Sequence, residues 1–136
     1  MNKLTTLLTA SLLITACSTL NSIVSIDDKR YFSEQPKIVT RENRYFLRFR
    51  YSDYHYYMSA DTKIETNKLI FYIAGLTSTG DAKGKLQFEE IVSKEKINLI
   101  KEDAVFWEEP SKKLVPLKIE DMKEDLAAVW NKRLKH

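Results

Sequence analysis

Three residues suited to acid–base or nucleophilic chemistry lie together in the stretch SDYH, where Ser52, Asp53 and His55 fall within four positions. A serine nucleophile needs a base, usually histidine, and the chain has only one other histidine, the terminal His136. Neighbouring residues on a strand point to opposite faces, so this spacing does not produce the geometry of a catalytic triad. We therefore expect no catalytic site and predict that the protein is not an enzyme.

Pairs of adjacent acids are a second possible source of chemistry, either as general acids and bases or as metal ligands. Carboxylates next to each other on a strand diverge, which favours solvated surface positions over a shared site. Gly80 and Gly84 match neither a Walker loop nor a dinucleotide fingerprint, and no EF-hand spacing occurs. We expect no metal and no cofactor. The acid pairs are Asp27-Asp28, Glu89-Glu90, Glu108-Glu109 and Glu120-Asp121.

Cys17 is the residue whose chemistry the sequence specifies most clearly. Lys3 precedes an uncharged run over residues 4–16, which has the layout of a secretory signal and is too short and too polar for a permanent transmembrane helix. The run ends in ITAC at residues 14–17, which resembles the bacterial lipobox. This resemblance to bacterial lipoproteins covers the first eighteen residues. It implies that the bond between Ala16 and Cys17 is cut and that the Cys17 thiol receives a diacylglyceryl group.

The lipobox resemblance also implies a location for the mature protein. Two or more acyl chains, such as palmitate, anchor a protein stably to a membrane, whereas one chain binds marginally. Ser18, rather than Asp, follows Cys17, which in a bacterium with two membranes implies sorting to the outer membrane, facing the periplasm. We expect a lipid-anchored protein of the cell envelope.

Removal of residues 1–16 leaves 120 residues, enough for one domain with a hydrophobic core. The net charge falls from +3 to +2 because Lys3 is lost, and this near balance indicates no nucleic-acid partner. Cys17 is the only cysteine, so no internal disulfide can form. Residues 17–36 lack a sustained period and are interpreted as the lipidated N-terminus and a tether, followed by a single globular domain over residues 37–136.

Alternation with period two begins near residue 37 and is clearest in RYFLRFRY, residues 44–51. The runs over residues 68–76 and 85–92 predict a central strand and its antiparallel hairpin partner. Further strands are predicted at about 96–100, 104–109 and 113–119, with Pro116 placing the last at a sheet edge or marking a bulge.

The last stretch of the chain, residues 120–135, changes to helical spacing. We therefore predict an α+β fold, a small antiparallel sheet of about 5 to 7 strands packed by a C-terminal amphipathic helix. The strand order stays open. The helix would bury Met122, Leu126, Val129 and Trp130.

The strand at residues 44–51 is expected to place Tyr45, Leu47, Phe49 and Tyr51 in the core. Arg and Tyr are enriched at binding hot spots, so the other face and the tyrosines after it form a candidate partner-binding surface. A solvated strand face is the alternative interpretation. The candidate residues are Arg44, Phe46, Arg48, Arg50, Tyr54, His55, Tyr56 and Tyr57.

These features favour a non-enzymatic lipoprotein that binds an envelope protein, as an inhibitor, an immunity-type protector or an accessory subunit. The alternative is a module that binds an anionic envelope polymer or lipid headgroups through the arginines, because guanidinium groups suit phosphate and carboxylate. An enzyme acting on an envelope substrate is a third alternative, and it would require an acid-lined pocket.

Overall fold

A computed structural model describes residues 22–52, 60–75 and 84–134, which form a mostly β domain with two short helices. The strands make two four-stranded sheets rather than the single sheet predicted. The first sheet has the order β5–β2–β1–β8, and the second sheet has the order β3–β4–β6–β7. The elements are β1 (Phe32–Arg41), β2 (Arg44–Tyr51), β3 (Asp61–Glu65), β4 (Lys68–Tyr72), β5 (Leu86–Ile91), α1 (Lys94–Lys101), β6 (Val105–Glu108), β7 (Leu114–Pro116), β8 (Ile119–Asp121) and α2 (Leu126–Leu134).

Two tight hairpins organise the sheets. Glu42 and Asn43 connect β1 to β2 with φ of 55° and 60°, and Thr66 and Asn67 connect β3 to β4 with φ of 52° and 58°. Two-residue loops with positive φ at both positions match the twist of antiparallel strands. Each sheet also contains a parallel pair, β1 with β8 and β4 with β6, so the prediction of a purely antiparallel sheet is wrong.

The main core lies between the two sheets. Leu47, Phe49 and Tyr51 of β2 belong to this cluster, which confirms that face of the predicted strand. Trp107 is fully buried and meets the Phe32 ring edge to face, with centroids 5.8 Å apart. Its indole Nε1 donates to the Val24 carbonyl at 2.9 Å, so the largest core side chain has its polar atom paired.

The N-terminal segment is part of this core, which corrects the predicted tether of residues 17–36. Val24 is fully buried, Ile26 and Phe32 are nearly so, and β1 begins at Phe32 rather than near residue 37. Val24 and Ile26 both belong to the main core, whereas Ile23 and Asp27 on either side of them are exposed. The chain from Ser22, which is 2% exposed, therefore belongs to the folded domain.

A second core lies on the other face of the first sheet, beneath α2. Leu126 and Val129 of the helix and Met122 before it pack against Phe46 and Phe88. A C-terminal helix is thus present, but it begins at Leu126 and covers only the first sheet.

Three other strand predictions have different outcomes. Residues 96–100 lie in α1, where the Ser93 hydroxyl caps the helix by accepting from the Lys96 amide, so the predicted strand is wrong. The runs over residues 68–76 and 85–92 contribute to different sheets and do not form a hairpin. The edge position indicated by Pro116 is confirmed, because β7 ends the second sheet.

Candidate functional site

α2 covers the middle of the predicted arginine face of β2, whereas Arg44 and Arg50 at its two ends are partly exposed. Phe46 is fully buried and stacks on Phe88 with ring centroids 4.4 Å apart. β2 is also central in the first sheet, between β5 and β1. The expectation that Phe46 is a surface contact is therefore wrong, because the helix covers this face.

Arg48 is the most deeply buried of the three arginines, with a side chain 11% exposed. Its Nη1 donates to Glu124 Oε1 at 2.8 Å, and its Nε lies 3.3 Å from Glu34 Oε1 without alignment for a hydrogen bond. Glu34 comes from β1 and Glu124 from the segment before α2. The arginine therefore joins the sheet to the helix layer through charge.

Arg44 and Arg50 also have partners within the domain. Arg44 makes a two-pronged contact with Glu90, at 2.9 Å from Nε and 2.7 Å from Nη2. This hydrogen bonding lowers the pKa of Glu90. Arg50 donates to Glu34 Oε2 at 3.3 Å and to the Gly84 carbonyl at 2.8 Å. Binding of an external anion would compete with these acceptors.

The remaining candidates are only partly covered by the structure. Tyr54, His55, Tyr56 and Tyr57 lie outside the described residues, as do Ala16 and Cys17. Of the stretch SDYH, only Ser52 is described, and its hydroxyl donates to the Arg30 carbonyl.

Two of the adjacent acids, Glu108 and Glu109, hold the N-terminal segment in place. Glu108 accepts from the Ser22 amide at 3.0 Å and from Lys63 Nζ at 2.8 Å. Burial lowers the pKa of Lys63, but its hydrogen bond and charge interaction with Glu108 outweigh that effect and leave the pKa raised. Glu109 accepts from the Ser25 hydroxyl and the Ile26 amide. These carboxylates have structural partners, and no cluster that could bind a metal occurs in the described ranges.

The structure reveals a site that the sequence did not indicate, which we call the lateral cleft. It opens where β3 and β5, an edge strand of each sheet, lie side by side, and its volume is about 250 Å³. The apolar floor comes from Leu47, Phe71 and Ile91, which all belong to the main core. The rim carries Asp61, Glu89, Val92 and Lys96.

The rim of the lateral cleft combines exposed acids with an exposed aliphatic side chain. Asp61 and Glu89 are both exposed, and neither has an ion pair within the described part of the chain. Val92 is 78% exposed, the largest exposed fraction among the large hydrophobic residues of that part. Lys96 donates to the Thr62 hydroxyl at 2.8 Å, so its ammonium is directed toward β3.

Glu89 was a signal that could have indicated this opening. It pairs with Leu47 across β2 and β5 and shares the core-facing side of the sheet. A glutamate among core-facing positions is stable only where water reaches it, so the two sheets must separate there. The alternation in KLQFEEIV identified the strand, but the partner strand was needed to identify the face.

Comparison of this chain with protein-family models, with curated proteins and with solved structures gives no match. Within the described residues, no helix is long and apolar enough to cross a membrane.

Proposed function

We propose that the protein is a lipid-anchored protein of the bacterial envelope that binds a protein partner and performs no catalysis. It would act as an inhibitor, an immunity-type protector or an accessory subunit, and in a bacterium with two membranes it would face the periplasm from the outer membrane. The lipobox supports the location. The observation that carries the binding function is the lateral cleft.

The volume of the cleft favours a protein partner over a small-molecule ligand. Pockets for drug-sized ligands usually occupy roughly 300–1,000 Å³, whereas the volume of this cleft is about 250 Å³. A space of this size suits one large side chain inserted from another protein. Such anchor residues in central pockets contribute most of the binding energy at many interfaces.

The charges at the rim favour a basic anchor residue. Glu89, on the core-facing side of its sheet, and Asp61 line the cleft together with the apolar residues Leu47 and Phe71. An Arg or Lys side chain has an apolar stem that can cover such a floor and a cationic head that can pair with the carboxylates. Val92, at the same rim, would add apolar contact area around the anchor. We therefore expect the partner to present a basic side chain surrounded by apolar groups.

The alternative function, binding of anionic polymer through the arginines, receives less support. Arg44, Arg48 and Arg50 each contact a glutamate of the same domain. A polymer would have to replace those carboxylates, and for Arg48 it would also have to displace α2. The geometry favours the protein-binding alternative.

Affinity recovery with matched charge reversals tests the proposal. Full-length tagged protein would be expressed in its own bacterium and solubilised in mild detergent, as wild type, Glu89→Lys and Glu95→Lys. Both glutamates are exposed, but Glu95 lies on α1 outside the cleft lining. We expect a stoichiometric partner with wild type and Glu95→Lys, and an affinity about tenfold weaker with Glu89→Lys, equivalent to about 1.4 kcal/mol.

Two results would count against the proposal. Equal recovery with all three proteins would place the binding surface outside the cleft. Absence of any stoichiometric partner of the wild-type protein, over several growth conditions, would contradict the protein-binding function.

A further inference from the structure

The path of the chain at Ser22 determines where the N-terminus leaves the domain. Trp107 faces the core, so the next residue, Glu108, faces the opposite, outer side of the second sheet. The Ser22 amide bonds to the Glu108 carboxylate, and two residues later Val24 is in the core. The chain therefore crosses the end of the second sheet, and at Ser22 its backbone amide is directed toward the outer side.

The connection from Ser22 to the lipid is short. Cys17 lies five residues before Ser22, and five extended residues span at most about 18 Å. The second sheet, the first sheet and α2 form three layers spaced about 10 Å apart. An orientation with α2 against the membrane would place Ser22 at least about 20 Å from it, beyond the reach of the connection.

The outer side of the second sheet carries side chains suited to a membrane surface. Lys63 lies over the Tyr72 ring at 5.0 Å, and Lys68 lies over the Phe106 ring at 5.5 Å. Tyr72 and Phe106 are half-buried, and Lys68 is exposed. Aromatic rings are enriched at the level of lipid headgroups, and lysine stems extend there with the ammonium in water. Ile23, 46% exposed, adds an apolar side chain beside the exit point.

We propose that the outer face of the second sheet rests on the lipid surface in which Cys17 is anchored. This face is defined by Lys63, Lys68, Tyr72, Phe106 and Pro116, with Ile23 at its end, and the strand register also places Asp61 and Glu65 on it. Because Lys63 is paired with Glu108, the Lys68 ammonium is the group that contacts headgroup phosphates, and the aromatic rings lie at headgroup depth. The inference depends on lipidation of Cys17, which is part of the proposed function, but it does not depend on a protein partner.

In this orientation the lateral cleft faces sideways above the membrane. The cleft opens between edge strands, on the core side of the second sheet, and is therefore not covered by the lipid surface. A partner held in the same membrane could reach it by lateral diffusion.

A fluorescence experiment on vesicles tests the orientation. Because lipid occupies the thiol of Cys17, the only cysteine, a cysteine introduced elsewhere is the only free thiol. Two variants each replace an exposed lysine. Lys68→Cys lies on the outer face of the second sheet, and Lys123→Cys lies in the segment before α2. Each lipidated protein would be labelled and placed in vesicles of phosphatidylethanolamine and phosphatidylglycerol with headgroup nitroxides as quenchers. No partner protein is present.

We expect the label at residue 68 to be quenched several-fold more strongly than the label at residue 123. Equal quenching, or stronger quenching at residue 123, would overturn the orientation while leaving lipidation and partner binding intact. A third label, at Lys113→Cys, lies on the β6–β7 turn. Quenching of this label without quenching at residue 68 would establish an end-on orientation and would also overturn the proposed one. If mass spectrometry shows that the protein carries no lipid, and the protein does not remain on vesicles, both the proposed orientation and the proposed location would be contradicted.

Discussion

The first sheet is covered on both faces, by the second sheet on one side and by α2 on the other. Within the described residues, the second sheet is covered on its core side only. Both sheets carry lysines or arginines among aromatic residues on the face away from the main core. In the first sheet those cations lie beneath or beside a helix and contact Glu34, Glu90 and Glu124. In the second sheet Lys63 lies over the Tyr72 ring and is also paired with Glu108 at 2.8 Å, whereas Lys68 lies over the Phe106 ring.

The comparison teaches that a basic, aromatic strand face does not by itself indicate a binding surface. Its role depends on whether another element covers it and on whether carboxylates from distant segments neutralise it. Arg48 illustrates this, because Glu34 and Glu124 approach it from opposite directions in the chain. The second sheet, which has the less basic strands, has the face more available for contact.

Trp107→Ala should give the largest loss of stability and distinguishes the two faces of the second sheet. The change removes a fully buried ring and leaves the Val24 carbonyl without its indole donor, so we expect a loss of about 3 to 5 kcal/mol. Phe106→Ala, on the adjacent residue and the outer face, is the control and should cost much less because Phe106 is half-buried. Urea unfolding of both variants measures the difference, and equal losses would contradict the assignment of the faces.

Leu126→Ala tests whether α2 packs tightly on the first sheet. Leu126 is 7% exposed and packs in the second core, so we expect a loss of about 2 to 3 kcal/mol. Ala127→Gln, at an exposed position of the same helix, should change stability by less than about 0.5 kcal/mol. A Leu126→Ala protein as stable as wild type in urea would show that the helix does not cover the sheet.

Arg48→Met measures the contribution of the buried arginine. Methionine keeps much of the apolar volume but removes the charge-assisted contact with Glu124, so we expect a loss of about 1 to 2 kcal/mol. Arg44→Met is the matched control at the more exposed pair with Glu90, and it should cost less than Arg48→Met because solvent screens that pair. If Arg44→Met were the more destabilising of the two in thermal unfolding, the ranking of these pairs would be reversed.

Glu90→Gln should have the smallest effect, and that effect should depend on pH. The Arg44 contact lowers the pKa of Glu90, so its contribution is present above the ordinary value of 4.5 and is lost as the pH falls through the lowered value. We expect wild type to exceed Glu90→Gln in stability by less than about 1 kcal/mol at neutral pH, with the difference disappearing in acid. Urea unfolding from pH 7 to pH 3 would test this, and a difference that persisted at pH 3 would contradict it.

Much of the β structure could be predicted because it is specified locally. The core-facing residues Leu47, Phe49 and Tyr51 followed from alternation, and Pro116 marked an edge because it lacks an amide donor. The two sheets could not be separated, since nothing local in residues 68–76 or 85–92 tells which other strand each one joins. The α1 helix was missed because INLI fits a short strand, although Ser93 and Glu95 supplied the signals of a helix N-terminus.

The candidate site was predicted less well than the fold. The burial of Phe46 and Arg48 depends on α2, which lies about 80 residues later in the chain and packs there through Leu126 and Val129. The lateral cleft combines β2, β3, β4, β5 and the segment before α1, so no single stretch of sequence contains its signature.

Photo-crosslinking in living cells tests whether a partner binds at the lateral cleft and not along the arginines of β2. A photoreactive amino acid would replace Val92 at the cleft rim and, in a separate protein, Arg44 at the most exposed arginine of β2. The account predicts a single crosslinked partner from residue 92, reduced when Glu89→Lys is added, and little or none from residue 44. A partner captured from residue 44 and not from residue 92 would contradict the account.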